Sequence, residues 1–268
     1  VNVIHTLHAF GFDVHHPFLR SNIFLIIDKF LDFFTHRYIA VSKYMKKYGV
    51  ERKIFTPIKA AVIYNSIPLV DKKISYNLDR QKVLNKLNLP SEKKIILFTG
   101  RLDKQKNLKV ILKALTLIDR RDFILVVCGE GSEKLSLQNY ANLNNINDLI
   151  FWMGWQENLN EFYSVSDIFV HPSKWESFGL VFLEAMKYKL PIIASNAQAI
   201  PEIIEQDGNA LLCDPDDYMT ICIFLNKFLD SENLRKKFGS YGHKNVMKKF
   251  SYSLFIKKHK ELYDSISK

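Results

Sequence analysis

Two carboxylates eight positions apart, Glu176 and Glu184, flank Gly179 in the stretch FVHPSKWESFGLVFLEAMKYKLPIIA (169–194). On one continuous helix that spacing separates two side chains by roughly 12 Å and rotates them by about 80°. They converge better if Glu176 lies in a loop and Glu184 inside the helix that follows, whose apolar periodicity runs over 180–186. Gly179 then falls near the helix start, where bare N–H groups and the positive dipole end can face an anion. A loop acid, a glycine at a helix mouth and a second acid on the helix suit a polyhydroxylated, phosphorylated ligand. Any two glutamates taken alone are more simply solvated surface residues, so the rest of the chain has to decide.

The elements that must position them follow from the pattern of apolar runs. Strands are expected over 1–4, 38–41, 60–63, 95–98, 123–127, 148–153, 168–170, 191–194 and 210–213. Helices are expected over 21–34 with Ser21 as a cap, after Ser42 to Lys47 with a stop near Gly49, after Asn107, after Ser132 with Glu133 in the first turn, and over 159–165. A helical turn with proline first is expected over 201–205, and helices from Tyr218 onward, broken near Gly239, Gly242 and Ser251. Residues 11–17, with His15 and His16, read as a loop. Alternating strands and helices argue for parallel sheets, doubly wound over the 160 or so residues after Pro90. A domain boundary is placed between Asp71 and Pro90.

In an open parallel sheet, ligands bind beyond the carboxyl ends of the strands. The residues collected there are Gly100 and Arg101 with Lys106 ahead of Asn107, then Gly129-Glu130-Gly131, Gly154, the 176–179 loop, and Ser195-Asn196. Arg101 and Lys106 supply two cations beside a helix start, which suits a diphosphate. Gly129-Glu130-Gly131 completes neither a dinucleotide fingerprint nor a P-loop. Asp214-Pro215-Asp216-Asp217 reads as a strand end and helix cap rather than a metal motif.

Composition narrows the classes. The 268 residues, 47% hydrophobic and 25% charged, suit one large or two modest soluble domains. A net charge of +10 is compatible with nucleic acid, an anionic membrane face or phosphorylated substrates. The lysines are scattered in pairs and lack the aromatic interleaving of a nucleic-acid binder, so no nucleic-acid partner is expected. Three cysteines without metal spacing give neither a disulfide framework nor a zinc site, and a reducing cytosol is the simplest compartment. No run of about 18 apolar residues occurs; 23–34 is at most a basic-flanked amphipathic helix. The chain opens at Val1 directly on a strand, and an N-terminal portion is expected to lie outside it.

The stretches Thr99-Gly100-Arg101-Leu102 with Lys106-Asn107, Gly129-Glu130-Gly131, Glu176 through Glu184 and Ile200-Pro201-Glu202-Ile203-Ile204 resemble glycosyltransferase family 4. These are group 1, retaining, nucleotide-sugar-dependent enzymes of the GT-B fold. Ile39-Ala40-Val41-Ser42 and Val62-Ile63-Tyr64-Asn65 resemble the end of the family's first domain, although Ser66 stands where glycine is usual. The loop 195–199 also lacks glycines that the family often has there.

The resemblance implies an α/β, GT-B type chain with a truncated N-terminal Rossmann-like domain (1–75). A complete nucleotide-sugar-binding Rossmann-like domain (76–250) follows, then a final helix (251–268) packing back toward the first domain. It implies that Arg101 and Lys106 neutralise the donor diphosphate, that Glu176 contacts sugar hydroxyls and that Glu184 binds the ribose. Backbone amides of Ser177, Phe178, Gly179 and Leu180 would face phosphate and sugar, with Gly100, Gly129 and Gly154 lining the donor site. His8 falls where the family often has an active-site histidine, a role weighed evenly against a surface one; His5, His15 and His16 read as surface or supporting residues.

The implied function is sugar transfer from a nucleoside diphosphate sugar to a glycan or lipid-linked acceptor hydroxyl. It would need no metal or cofactor, and would run in the cytoplasm or at the inner membrane face, in polysaccharide or lipopolysaccharide assembly. Two other readings stand beside it: a catalytically incomplete fragment that binds nucleotide sugar, and a nucleotide-sugar epimerase of the same fold.

Overall fold

The computed structural model describes residues 2–10, 18–68 and 79–266. The expected loop 11–17 and the first part of the expected boundary segment lie outside them. Among the described residues there are nine strands and eleven α-helices. The first group is β1 (Ile4–Leu7), α1 (Phe18–Leu31), β2 (Arg37–Ala40), α2 (Lys43–Glu51) and β3 (Ala60–Val62). The second begins with α3 (Arg80–Leu87), β4 (Lys94–Thr99), α4 (Leu108–Leu115), β5 (Phe123–Cys128), α5 (Lys134–Leu143), β6 (Ile150–Gly154) and α6 (Asn160–Val165). It continues through β7 (Ile168–His171), α7 (Leu180–Lys187), β8 (Ile192–Ser195), α8 (Ile200–Ile203) and β9 (Ala210–Cys213). Helices α9 (Tyr218–Asp230), α10 (Glu232–Lys249) and α11 (Tyr252–Ile266) end it.

Both sheets are parallel. One runs β1-β2-β3, the other β6-β5-β4-β7-β8-β9. In the larger sheet β4 leads outward through β5 to β6, and the chain then returns to β7 on the other side of β4. The strand order therefore reverses between β4 and β7, and a doubly wound sheet opens its crevice at that switch point. The strands are apolar on both faces: Ile95 and Leu97 of β4 pack into one core cluster, Ile96 and Phe98 into the other. Such two-sided burial is what a parallel sheet covered by helices demands. The first cluster runs on into the smaller sheet through Leu7, Tyr38 and Met45, so the two sheets share a core.

Several boundaries differ from the sequence reading, each for a physical reason. The first strand is Ile4–Leu7, not 1–4, because the ladder to β2 pairs Ile4 with Arg37 and Leu7 with Ala40; its polar residues are only half-buried. Helix α1 starts at Phe18, three residues before Ser21. Ser42 does cap α2, accepting from the Met45 N–H at 3.1 Å, but the helix runs through Gly49 to Glu51. Asn107 occupies the cap position of α4 without capping it, since its side chain donates to the carbonyls of Pro172 and Pro215. Glu133 is the cap residue of α5 rather than a first-turn acid. Proline is second, not first, in α8, which covers Ile200–Ile203.

The expected breaks at Gly239 and Gly242 do not occur, and α10 passes through both. A β-carbon on Gly239 would lie 1.8 Å from the Lys189 carbonyl oxygen, so glycine here permits close packing of the helix on the loop after α7. Asp217 caps α9 through the Thr220 N–H, as the acidic stretch predicts. Helix α11 returns to the first sheet: the Asn2 side chain donates to the Ile266 carbonyl, and Lys258 sits over the Tyr64 ring.

Candidate active site

The reversal of strand order puts the loop after β4 opposite the loop after β7, and it brings together Lys106 of the first and Glu176 of the second. Lys106 and Glu176 form a buried ion pair across this crevice, with side chains 16% and 8% exposed. Ser173 donates to the same Glu176 oxygen, Oε1, at 3.0 Å. Burial pushes the Glu176 carboxyl up, but the adjoining His171 ring and the Lys106 charge outweigh that and hold it down at about 2. The site thus keeps a carboxylate ionised out of contact with water. Charge-assisted bonds of that kind are about twice as strong as neutral ones.

The loop that carries Glu176 is pinned at many points. Gln105 donates to the Trp175 carbonyl at 3.0 Å, and the Lys174 N–H donates to the Gln105 carbonyl at 2.8 Å. Ser195 donates to the Ser173 carbonyl. At the loop's end Gly179 caps α7 with φ +91°, and a β-carbon there would meet the Phe182 ring at 2.6 Å. Only glycine satisfies both conditions without strain. No side chain of the cap residue bonds to the first turn of α7, whose first N–H groups lack intrahelical partners.

Arg101 is 70% exposed and is steadied by Gln105 at 2.9 Å and Asp103 at 3.3 Å. Together with Trp175, Ser177, Gln198, Tyr44 and Met45 it lines a cleft of about 540 Å³ between the two sheets. Phe178 is buried against Tyr64 and Phe250, and Leu180 is exposed at the start of α7. His8 is exposed at the carboxyl end of β1, where its neighbours Ala9 and Phe10 line the same cleft.

Glu184 lies apart from that cleft. With Tyr163, Asn158 and Lys187 it lines a smaller hollow of about 270 Å³. It accepts from the Tyr163 hydroxyl at 2.8 Å, and Tyr163 in turn meets Thr99 at 3.0 Å. Burial raises the Glu184 carboxyl above its ordinary value, so the folded state pays to ionise it as pH rises past the unfolded value. Glu184→Gln removes that cost and can still accept from Tyr163. Its thermal midpoint at pH 7 is expected to equal or exceed that of the native chain; a lower midpoint in calorimetry would contradict this account.

The three strand-end glycines are knitted to one another. The Gly129 N–H donates to the Gly154 carbonyl at 2.7 Å and the Gly100 N–H to the Cys128 carbonyl at 3.0 Å. A β-carbon on Gly129 would lie 1.9 Å from the Gly100 oxygen. What Gly100 and Gly129 supply is close approach between loops rather than free amide donors.

Sequence reasoning missed three participants. His171, read as lying just past its strand, is the last residue of β7 and fully buried beside Glu176. Ser173 was passed over as a loop residue, although its place beyond a strand's carboxyl end marks it. Glu202, read as part of a helical turn and of a stretch resembling the family but given no role, reaches across to the first sheet. It accepts from the Lys43 and Tyr44 N–H groups at 2.7 and 2.6 Å, and from the Tyr64 hydroxyl at 3.2 Å. Beside it, Ser42 donates to the Ser177 carbonyl at 2.8 Å.

Comparison with known proteins agrees with this architecture. The profile of the family "Glycosyl transferases group 1" matches residues 79–245. An uncharacterized 41.2 kDa protein of the cps region of Klebsiella pneumoniae is 31% identical over 80% of this chain and 58% of its own length. An Escherichia coli UDP-Gal:alpha-D-GlcNAc-diphosphoundecaprenol alpha-1,3-galactosyltransferase is 26% identical over 97% of this chain and 68% of its own. The chain spans little more than half the length of several curated relatives it matches. Anabaena Alr3699/HepE, solved in complex with UDP-glucose, superposes with a TM-score of 0.89 at 18% identity, over 98% of this chain and 72% of that one. The fold is the α/β GT-B type, and the chain belongs to the group 1 glycosyl transferases.

Proposed function

We propose that this chain carries the donor side of a glycosyltransferase that moves a sugar from a nucleoside diphosphate sugar to an acceptor hydroxyl, with retention, in the assembly of a cell-surface glycan. The observation behind it is the buried Lys106–Glu176 pair, set across the switch-point crevice beside the Gly179 helix mouth. A diphosphate leaving group develops negative charge as its bond to the sugar breaks. Lys106, Arg101 and the first amides of α7 are the groups that would meet it, which leaves no need for a metal. Glu176, held ionised, accepts from sugar hydroxyls; Glu184, beside Tyr163, accepts from the ribose. Amides from Ser177 to Leu180 face the phosphates, and His8 faces the sugar from the first sheet. A glycan or lipid-linked acceptor is in keeping with the diphosphoundecaprenol in one relative's name.

Thermal unfolding with a panel of UDP- and GDP-sugars tests this reading. A ligand at 100 times its Kd is expected to add about 2.7 kcal/mol of apparent stability. Absence of any shift at millimolar ligand would overturn it. A transfer assay on the ligands that bind separates the alternatives, because binding without turnover points to a donor-binding fragment and isomerised free sugar to an epimerase.

A peripheral site at the membrane face belongs to the same proposal. No helix among the described residues is long and apolar enough to cross a membrane. Around α1, however, Ile26, Phe30, Phe33, Phe34 and Ile58 are exposed, with Lys29 exposed among them, Arg37 half-buried nearby and Lys59 paired with Asp32. Exposed apolar side chains beside cations suit an anionic lipid surface. Phosphatidylglycerol vesicles are expected to sediment the protein where phosphatidylcholine vesicles do not, and Phe33→Asp with Ile58→Asp to abolish this. Equal sedimentation by both lipids would count against it.

A further inference from the structure

Glu176 has one more neighbour than its oxygen can use. His171 ends β7 fully buried, stacked on Phe98 (centroids 5.3 Å apart) and Phe169 (5.8 Å), with Phe182 edge-on at 5.5 Å. Its Nε2 stands 3.5 Å from Glu176 Oε1, near enough to help hold that carboxyl low but too long for a normal hydrogen bond, and neither ring nitrogen has a hydrogen-bond partner among the described residues. Buried nitrogens are seldom left so, because an unmade bond forfeits the group's hydration without return. The reason here is competition. Lys106 and Ser173 already occupy Oε1. Close by, a β-carbon on Gly100 would lie 3.3 Å from the imidazole Cε1, so the loop after β4 fits closely against the ring. The charged groups facing the ring are Glu176 and Lys106; its other sides are closed by the three phenylalanines.

We propose that His171 is a positioning residue, the reserve donor that takes hold of Glu176 Oε1 when Lys106 turns toward the diphosphate of a bound nucleotide. This rests on the donor-site reading above. Without such a group, drawing Lys106 away would leave the carboxylate held by Ser173 alone, just when it has to present its other oxygen to the sugar. With it, the Nε2–H closes on Oε1 as the ammonium leaves, and the carboxylate keeps its orientation. No proton is transferred: the neutral imidazole needs only its Nε2–H tautomer, with Nδ1 unprotonated among the rings.

The tautomer is readable in the whole chain by NMR of ¹⁵N-histidine-labelled protein, with His171→Gln assigning the signal. The expected result is a neutral Nε2–H imidazole whose proton moves downfield and exchanges more slowly on saturation with UDP or GDP. An Nδ1–H tautomer, or no response at saturation, overturns the proposal. Affinities give a second readout. His171→Phe is expected to bind the bare nucleoside diphosphate within about twofold of the native chain while losing roughly tenfold for the matching UDP-glucose or GDP-mannose, the size of one net hydrogen bond. His171→Gln, which keeps a donor, is expected to recover most of that loss. Native affinity of both variants for both ligands would refute the role of His171 and leave the donor site standing. Failure of the native chain to bind any of the four ligands would remove the donor site and this inference together. Should His171→Phe not fold, the tautomer measurement on the native chain still decides.

Discussion

Lys106→Ala is expected to be the most damaging single change at the site, in stability and in activity alike. The substitution removes one partner of a buried pair and leaves Glu176 charged at 8% exposure. Ser173 and the neutral His171 ring can still donate to that carboxylate but bring no charge, so breaking the pair costs about 3–5 kcal/mol. In a chain of this size each kcal/mol lowers the melting temperature by about 2–4 °C, so the midpoint should fall by about 6–20 °C. If Lys106 meets the leaving diphosphate as proposed, its loss is expected to cost a further factor of about 10²–10³ in kcat, the scale seen when one preorganised donor is removed. The cause can be isolated with a double-mutant cycle. Lys106→Met with Glu176→Gln removes both charges, so the pair should melt higher than the sum of the single effects predicts. Strict additivity would show that the ion pair is not what the single variant breaks.

Glu176→Gln is the second large effect, and pH reports it. The carboxyl titrates at about 2 in the fold and near 4.5 without it. A group whose folded pKa is lowered stabilises the protein above its unfolded value, and that stability drains away as pH falls from 4.5 toward 2. Glu184 has the opposite sign: its raised pKa makes its ionised form a cost, which acidification relieves before the Glu176 contribution begins to fail. Urea unfolding between pH 6 and pH 2.5 should therefore show a steep acid loss in the native chain that Glu176→Gln flattens. A slope equal in both proteins would mean that Glu176 is not held ionised by its neighbours. Transfer should drop about 10–150-fold at neutral pH, since a hydrogen bond to a charged group is worth about 1.5–3 kcal/mol.

Local signals carried much of this site. Glu176 in a loop, Gly179 at a helix mouth and Glu184 within the helix were legible because each depends on residues a few positions away. The strand ends were legible too, since alternating strands and helices place them at one edge of the sheet. What local signals could not carry was pairing across the crevice. Lys106 looked like a free cation for a ligand, and the fold gives it Glu176, 70 residues distant, as its resting partner. His171 drew no notice because a histidine after an apolar run is ordinary; only the three phenylalanine rings around it make it a buried, unsatisfied base. Glu202 sits in a legible proline–glutamate pair, yet its partners are 158 and 159 residues earlier. Helix α10 failed for a related reason, because two glycines that weaken a helix in isolation are what lets this one pack closely, Gly239 against Lys189 and Gly242 against Met186 and Asn209.

The Glu202 contact has an electrostatic consequence for whatever enters the cleft. Two helix ends border it, α2 from the first sheet and α7 from the second, and each begins with a positive dipole. The end of α2 is met by a carboxylate belonging to the protein itself, bound to its first two amides. The end of α7 starts from a bare glycine. One mouth is neutralised in advance and the other is not, so the cleft has a polarity before any ligand arrives. On the proposed donor reading, that asymmetry favours an incoming anion on the six-stranded side, with the neutral remainder of the molecule toward His8 and the first sheet.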